Sequence, residues 1–208
     1  MPRFIACETG ILVSTSYKVM YSSLVESGAL REIDDATFGE QARGLRPDRG
    51  PRHLMPVRDP YSRLSSFFAD KLRRNLPRSP SDWQFCQLVF LPLLGLQFSA
   101  PFETAVDELR AVSFDRFIEL LPMASSNGHL RPQAALLRSG DFDLGPCTEL
   151  LPIETQAARL WSALGITQPP SANRSDFRPD AAALSRERLE IVNAIYAEDF
   201  DRFGYERR

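Results

Sequence analysis

The most informative segment of the chain reads Pro56-Val-Arg-Asp-Pro-Tyr-Ser-Arg-Leu-Ser-Ser-Phe-Phe-Ala-Asp-Lys71. A short apolar strand, Leu54 to Val57, leads into Arg58, and the Asp-Pro pair that follows turns the chain into a helix. A proline suits the first helical position because its missing N–H would have no partner there. From Leu64 onward, apolar residues recur at i, i+3, i+4 and i+8, which is the spacing of one buried helix face.

The turn between this strand and this helix predicts an anion-binding site. It leaves Arg58 at the carboxyl end of the strand, with Ser66 two turns into the helix. Ligands of open α/β sheets bind at that end of the strands. A guanidinium, a hydroxyl and a helix N-terminus are together suited to a phosphate. The alternative is a structural strand-turn-helix with a solvated arginine.

The segment resembles the one by which sulfotransferases hold the 3′-phosphate of the sulfuryl donor 3′-phosphoadenylyl sulfate (PAPS). It is similar to the carbohydrate sulfotransferases of the chondroitin/HNK-1 type, sulfotransferase family 2, whose pattern runs Val-Arg-Asp-Pro-aromatic-x-Arg-Leu-x-Ser-x-aromatic-x-x-Lys. The resemblance implies that Arg58 and Ser66 bind the 3′-phosphate. It also implies an α/β fold of the P-loop-NTPase-like sulfotransferase type, with a small central parallel sheet flanked by many helices.

Bulk composition narrows the classes of protein to consider. A length of 208 residues fits a single domain spanning residues 1–208. The net charge of −2 argues against a nucleic-acid-binding protein, whose surface is usually basic. The three cysteines have no metal-ligand spacing and indicate a reducing cytosol: Cys7, Cys86 and Cys147.

No segment predicts membrane insertion or secretion. The longest apolar run, Leu88 to Leu96, is too short to cross a bilayer, and the N-terminus lacks the features of a signal peptide. Golgi enzymes of sulfotransferase family 2 usually carry a membrane anchor. The sequence therefore predicts a cytoplasmic member of this membrane-associated family, of the kind expected in bacteria.

The N-terminal part of the chain predicts a strand-loop-helix unit. Phe4 to Cys7 reads as a strand, Glu8 to Ser16 as a loop, and a helix begins at Tyr17 and ends at Gly28. Backbone N–H groups of such a loop, together with the helix N-terminus, bind anions. The Walker sequence Gly-x-x-x-x-Gly-Lys-Ser/Thr is absent, which speaks against an ATP or GTP hydrolase and a nucleotide kinase. Residues Arg31 to Arg52 read as a long surface connection.

The loop resembles the 5′-phosphosulfate loop of the family, Pro-Lys-x-Gly-x-Thr-x-aromatic-Lys/Arg, in its second half. The resemblance implies that four of its residues bind the 5′-phosphosulfate: Ser14, Thr15, Ser16 and Lys18. Lys18 is also expected to act in catalysis. The first half differs, since Ile11 stands where the family has a lysine that neutralises the leaving phosphate. Three accounts stay open: Lys18 or an arginine replaces that lysine, the alignment slips by several residues, or activity is weak or lost.

Sulfuryl transfer to a hydroxyl needs a general base that takes the proton of the acceptor. His129 lies in Asn-Gly-His-Leu-Arg-Pro-Gln, residues 127–133, which resembles the family's Asn-x-His-Trp-x-Pro-Gln. We expect His129 to be the base or to contact the acceptor; the alternative is a loop histidine bonded to backbone. His53 precedes Arg58 by about five residues, or roughly 16 Å of strand, which is long for the same site. Two carboxylates are further candidates: Glu8 and Glu103.

The rest of the chain predicts mainly helices. Five segments are read as helical: Trp83 to Phe98 with an interruption at Pro92, Pro101 to Leu109, Ser113 to Leu121, Ile153 to Leu164, and Ser185 to Phe203. Phe142 to Leu144 reads as a short strand. Residues 196–205 resemble the family's C-terminal Tyr-x-x-Asp-Phe-x-x-Phe-Gly-Tyr and are interpreted as packing features. Arg174, in the polar loop before the last helix, is a further candidate for the donor phosphates.

Together these features predict an enzyme. It is expected to be a PAPS-dependent sulfotransferase that moves a sulfuryl group to a hydroxyl of a carbohydrate or carbohydrate-containing acceptor and releases 3′-phosphoadenosine 5′-phosphate (PAP). No metal is expected, since loop dipoles and cations stabilise the leaving group. The competing hypothesis is a degenerate relative that binds PAP, PAPS or a glycan without turnover, to which Ile11 and Val13 point.

Overall fold

The computed structural model of the chain describes residues 2–46, 48, 53–124, 127–170 and 183–208. The chain groups into two compact units, each assembled from separate segments. The first unit comprises residues 1–59, 133–173 and 201–205, and the second comprises 60–132, 174–200 and 206–208. Among the described residues, no helix combines the length and the apolar character needed to cross a bilayer.

The first unit is built on a five-stranded sheet, in the order β3-β1-β2-β4-β7, beside a separate β5-β6 ribbon. The strands are β1 (Arg3–Ala6), β2 (Leu12–Ser14), β3 (Leu30–Glu32), β4 (His53–Val57), β5 (Arg138–Ser139), β6 (Phe142–Asp143) and β7 (Thr148–Pro152). Strand β4 pairs parallel to both β2 and β7. Because β1 is antiparallel to β2 and to β3, it alone runs against the other four strands. The α/β class and the largely parallel sheet are therefore confirmed.

The helices lie mostly between and after these strands. They are α1 (Tyr21–Glu26), α2 (Asp35–Arg43), α3 (Pro60–Ala69), α4 (Phe85–Leu88), α5 (Phe90–Leu93), α6 (Phe102–Ala111), α7 (Phe114–Ala124), α8 (Ile153–Ala163), α9 (Arg186–Ile195) and α10 (Ala197–Phe203). A π-helical turn, Asp70–Arg74, follows α3, and a 3₁₀ segment, Gln133–Leu137, precedes β5.

Both faces of the central sheet are covered, because successive strand residues point to opposite sides. On one face, Phe4 and Val13 pack with Leu24 of α1 and with Leu160 and Trp161 of α8. The opposite face packs against α2 through another group of buried residues: Leu12, Phe38, Ala42, Leu144 and Cys147. The first unit is therefore a sheet between two helical layers.

Two predicted loops were wrong in the first unit. The segment Glu8 to Ser16 contains strand β2, which pairs antiparallel with β1 in a hairpin and parallel with the distant strand β4. The segment Arg31 to Arg52 contains β3 and α2. Helix α2 does carry a local signal, because the Asp34 side chain accepts a hydrogen bond from the Thr37 N–H as an N-cap.

The second unit is helical and has an aromatic core. Helix α3 begins at Pro60, as predicted, and buries Phe67 and Phe68. The Phe67 ring stacks on Phe117 of α7 with centroids 5.7 Å apart, and Phe90 of α5 lies 5.8 Å from Phe117. This packing holds α3, which carries Ser66, against α7.

Two of the predicted helices are not continuous in the structure. The segment Trp83 to Phe98 contains two four-residue helices, α4 and α5, rather than one interrupted helix. The helix predicted from Ser185 to Phe203 breaks at Tyr196, whose φ of −105° ends α9 before α10 begins. Tyr196 is fully buried, so tertiary packing overrides the local helical preference there.

Candidate functional site

The parallel strands β2, β4 and β7 end at the same edge of the sheet, which is the edge where α/β proteins bind ligands. The residues that follow these three strands are therefore close together in the first unit. Thr15 follows β2, Arg58 follows β4, and Ile153 follows β7. The predicted phosphate-binding residues of the N-terminal loop and Arg58 belong to this edge.

Arg58 is attached to the loop after β2. Its Nη1 donates a hydrogen bond to the backbone carbonyl of Lys18 at 3.1 Å. The side chain is largely withdrawn from solvent, since Arg58 is only 9% exposed. The structure thus brings together the residue predicted to bind the 3′-phosphate and the loop predicted to bind the 5′-phosphosulfate.

The backbone of Arg58 is held on both sides by one buried glutamine. The Arg58 N–H donates to Gln133 Oε1 at 3.0 Å, and Gln133 Nε2 donates back to the Arg58 carbonyl at 2.7 Å. Gln133 is fully buried. These two hydrogen bonds match those of a hydrogen-bonded residue pair in a β-sheet, with the side-chain amide of Gln133 in place of the backbone of a neighbouring strand.

A carboxylate and a phenol hold the next residue of the same turn. The Asp59 N–H donates to Glu154 Oε1 at 3.1 Å, and Tyr205 Oη donates to Glu154 Oε2 at 2.9 Å. Burial and the charge of Glu154 raise the pKa of the Tyr205 phenol, with a smaller contribution from Asp59 and an opposing one from Arg58. The phenol is therefore a proton donor at neutral pH.

The loop after β2 has an unusual backbone. Lys18 and Met20 have φ values of 71° and 59°, in the left-handed region that non-glycine residues rarely adopt. The Val19 N–H donates to the Ser16 carbonyl at 3.0 Å, which closes a tight turn around Lys18. Alternation of right- and left-handed residues is the backbone geometry of anion-binding concavities.

The hydroxyl groups of this loop bond to its own backbone. Thr15 Oγ1 donates to the carbonyls of Ser16 and Val19, and Ser16 Oγ donates to the Tyr17 carbonyl at 3.0 Å. Both residues are fully buried. Lys18, in contrast, is partly exposed. These hydrogen bonds shape the loop, and Lys18 is its partly exposed cationic side chain. Binding of the 5′-phosphosulfate by Thr15 and Ser16 stays a prediction.

Ser14, at the end of β2, belongs to a buried polar network. Its hydroxyl accepts a hydrogen bond from Arg3 Nη1 and lies 2.7 Å from His53 Nε2. On the other side of the ring, His53 Nδ1 lies 2.7 Å from Thr148 Oγ1, which donates to the Leu144 carbonyl. Because the Thr148 hydroxyl donates to the Leu144 carbonyl, it accepts from Nδ1–H of His53; when the imidazole is neutral, Ser14 then donates to Nε2.

We expect the buried imidazole of His53 to make folding stability depend on pH. Desolvation, with the nearby charge of Arg3, lowers the pKa of His53 from 6.5 to about 3. Below pH 6.5 the unfolded chain therefore binds a proton that the folded chain does not, and stability falls as the pH falls towards 3. Urea unfolding should show a loss of about 2 kcal/mol between pH 7.5 and pH 5.

The variant His129→Asn is the control for this measurement, because it removes the only other histidine of the chain. Its free energy of unfolding should depend on pH as that of the wild type does. A free energy of unfolding that stays constant between pH 7.5 and pH 5 would contradict a neutral, buried His53.

Ile11 lies at the wrong end of β2 for the role of the family lysine. It immediately precedes the strand, whereas Lys18 follows its carboxyl end, and its side chain packs against the apolar cluster around Phe4 and Val13. The residue-by-residue alignment therefore does not bring this position to the edge that carries Arg58. The three accounts of the missing family lysine all stay open.

The remaining predicted residues do not belong to this edge of the sheet or lie outside the described residues. Ser66 is partly buried on α3. Glu103 is exposed in the first turn of α6, while Glu8 is exposed in the β1–β2 turn of the first unit. Arg174 lies outside the described residues.

His129 sits on a rigid turn in the second unit. Its N–H donates to Asn127 Oδ1 at 3.0 Å, and its ring meets the edge of Phe67 with centroids 5.9 Å apart. The following residue is held by a buried phenol, since Tyr196 Oη donates to the Leu130 carbonyl at 2.6 Å. Arg63, 1% exposed, donates to the Arg131 carbonyl at 2.9 Å. The histidine is therefore well placed to keep one orientation.

The variant Tyr196→Phe tests how firmly this turn is held. Among the described residues, the Leu130 carbonyl then keeps a long contact of 3.5 Å from Arg63 Nη2. We expect the free energy of unfolding in urea to fall by about 1–3 kcal/mol, the usual cost of removing a partner from a buried polar group. An unchanged urea midpoint would show that the phenol does not hold the turn.

Comparison with known proteins adds no relatives: no family model, no curated protein and no solved structure matches this chain. Among the described residues, no three His, Cys, Asp or Glu side chains are grouped so as to hold a metal ion.

The sequence did not identify the residues that hold the Arg58 turn. The motif that contains Gln133 predicts no role for this residue, and no sequence motif includes Glu154. Tyr205 was interpreted as a packing feature. The only available signal was the order of these motifs along the chain, since the contacts join residues from 51 to 95 positions apart.

Proposed function

We propose that this protein is a PAPS-dependent sulfotransferase that transfers a sulfuryl group to a hydroxyl of a carbohydrate or carbohydrate-containing acceptor. The observation that supports this most strongly is the hydrogen bond from Arg58 Nη1 to the Lys18 carbonyl. It joins the two segments that resemble the phosphate-binding parts of sulfotransferase family 2. We further propose that the α/β unit has the P-loop-like fold of that class.

The residues at this edge have distinct roles in the proposed reaction. Arg58 binds the 3′-phosphate of the nucleotide through its guanidinium, which suits phosphate geometry. The backbone of the loop 15–20 faces the 5′-phosphate, and Lys18 neutralises the charge that develops on it. The donor supplies the sulfuryl group: the acceptor oxygen bonds to sulfur as the bond from sulfur to the 5′-phosphate oxygen breaks.

The proton of the acceptor hydroxyl needs a base, and His129 is our proposal for it. The resemblance of residues 127–133 to the family segment supports this choice, and the bond to Asn127 Oδ1 holds the backbone of His129. The involvement of Ser66 with the 3′-phosphate and of Arg174 with the donor phosphates stays a prediction from the resemblance. A cytoplasmic setting and the absence of a nucleic-acid partner likewise stay predictions.

A second candidate function is binding of PAP, PAPS or a glycan without turnover. It is favoured by Ile11, which stands at the amino end of β2 in place of a lysine, and by the loop hydroxyls, which already bond to backbone. Such a protein would keep the nucleotide affinity and lack transfer.

The two functions are separated by one pair of measurements. A thermal shift with PAP, compared with 5′-AMP and ATP, reports binding because a ligand of the folded state raises the unfolding temperature. Transfer of labelled sulfate from PAPS to a panel of saccharides reports turnover. Stabilisation by PAP with transfer supports the enzyme, and stabilisation without transfer supports the nucleotide-binding protein. No stabilisation by PAP contradicts both of these and leaves only a glycan-binding protein.

A further inference from the structure

We infer that Gln133 and the Glu154–Tyr205 pair are positioning residues that set the preference of this site for a 3′-phosphate. This inference rests on the proposed function of Arg58. It gives a role to two motifs that packing alone does not explain, the Pro-Gln of residues 132–133 and the Gly-Tyr of residues 204–205.

The contacts form a continuous support around a single arginine. Gln133 bonds to both backbone polar groups of Arg58, at 3.0 and 2.7 Å. Glu154 accepts from the N–H of Asp59 at 3.1 Å. The Arg58 guanidinium, in turn, donates to the Lys18 carbonyl at 3.1 Å. Both the backbone and the side chain of this one residue are therefore fixed by other parts of the first unit.

The chemistry of these contacts is more specific than packing requires. A fully buried glutamine is costly unless its amide is hydrogen-bonded, and both ends of this amide bond to the same residue. Tyr205 donates to the carboxylate that holds Asp59, which fixes the direction of that carboxylate. If the turn served only to end strand β4, hydrogen bonds from other backbone groups or from water would satisfy its backbone N–H and C=O groups.

Since Arg58 is proposed to bind the 3′-phosphate, its exact position affects the affinity for that phosphate more than the affinity for the rest of the nucleotide. PAP and 5′-AMP differ only in the 3′-phosphate, so the ratio of their affinities isolates the contribution of Arg58. Displacement of a binding group by a fraction of an ångström weakens its interaction steeply. Loss of the support should therefore lower the ratio for PAP over 5′-AMP, whereas a general loss of stability should leave it unchanged.

The test measures the dissociation constants of PAP and 5′-AMP by calorimetry on folded variants. We expect Gln133→Leu to lower the PAP preference about tenfold and Tyr205→Phe to lower it by a smaller factor. Gln133→Glu, which keeps the acceptor for the Arg58 N–H and loses the donor, is the second variant if Gln133→Leu does not fold.

The chain supplies matched controls in the second unit. Gln87 is also fully buried and donates to the backbone carbonyls of Lys71 and Asn75, both at 2.8 Å. Tyr61 Oη donates to Asn193 Oδ1 at 2.8 Å. Gln87→Leu and Tyr61→Phe should reduce stability without changing the affinity ratio.

The outcomes distinguish this inference from the function on which it rests. A lowered ratio in the Gln133 and Tyr205 variants, with an unchanged ratio in the controls, supports positioning. An unchanged ratio in the Gln133 and Tyr205 variants overturns positioning while leaving the proposed function intact. A wild-type protein that does not prefer PAP over 5′-AMP overturns the proposed function, and the positioning role with it.

Discussion

Replacement of Arg58 by alanine is expected to lower the affinity for PAP about a hundredfold, or about 2.8 kcal/mol, and to lower the affinity for 5′-AMP much less. The physical reason is the loss of charge-assisted hydrogen bonds to the 3′-phosphate from a guanidinium held at the carboxyl end of β4. Titration calorimetry with the two nucleotides measures both affinities on the same protein.

Two further variants make the Arg58 result specific. Arg58→Lys keeps the positive charge and loses the planar fork, so we expect an intermediate PAP affinity. Arg159→Ala removes an exposed arginine of the same unit that pairs with Glu149 at 2.7 Å, and it should not change the affinity. If Arg58→Ala folded and bound PAP as tightly as the wild type, the assignment of the 3′-phosphate to Arg58 would be wrong.

Replacement of Lys18 by methionine is expected to lower the rate of sulfuryl transfer about a hundredfold or more while changing the PAP affinity much less. A cation beside the leaving phosphate stabilises charge that develops mainly in the transition state, so its loss affects kcat. Methionine has a similar length and no charge. Single-turnover transfer from labelled PAPS measures the rate of the chemical step.

The choice of Lys18 over other cations can be checked in the same experiment. Lys18→Arg keeps a cation and should retain more activity than Lys18→Met. The chain has one other lysine, Lys71, which pairs with Asp70 at 3.2 Å in the second unit. Equal transfer rates in the wild type and in Lys18→Met would exclude Lys18 as the replacement for the missing family lysine.

The local parts of the fold could be predicted from the sequence, and the non-local parts could not. Strand β4 and helix α3 follow from an apolar run, a helix-starting proline and a 3.6-residue period. Strand β2 has only three residues, and its parallel pairing with β4, which begins about 40 positions later in the chain, could not be predicted. Its last residue, Ser14, is polar and is predicted to lie in a loop, because the sequence does not reveal its hydrogen bonds to Arg3 and His53.

The same distinction applies to the candidate site. Arg58 and Lys18 were predicted because each lies in a short motif with a known phosphate-binding pattern. Gln133, Glu154 and Tyr205 act on this site only through long-range contacts, so nothing near them in sequence indicates that role.

The most direct test of the central claim is a crystal structure of the protein with bound PAP. The account predicts the 3′-phosphate on the guanidinium of Arg58 and the 5′-phosphate over the backbone of the loop 15–20. A nucleotide bound elsewhere, or a 3′-phosphate without contact to Arg58, would contradict it.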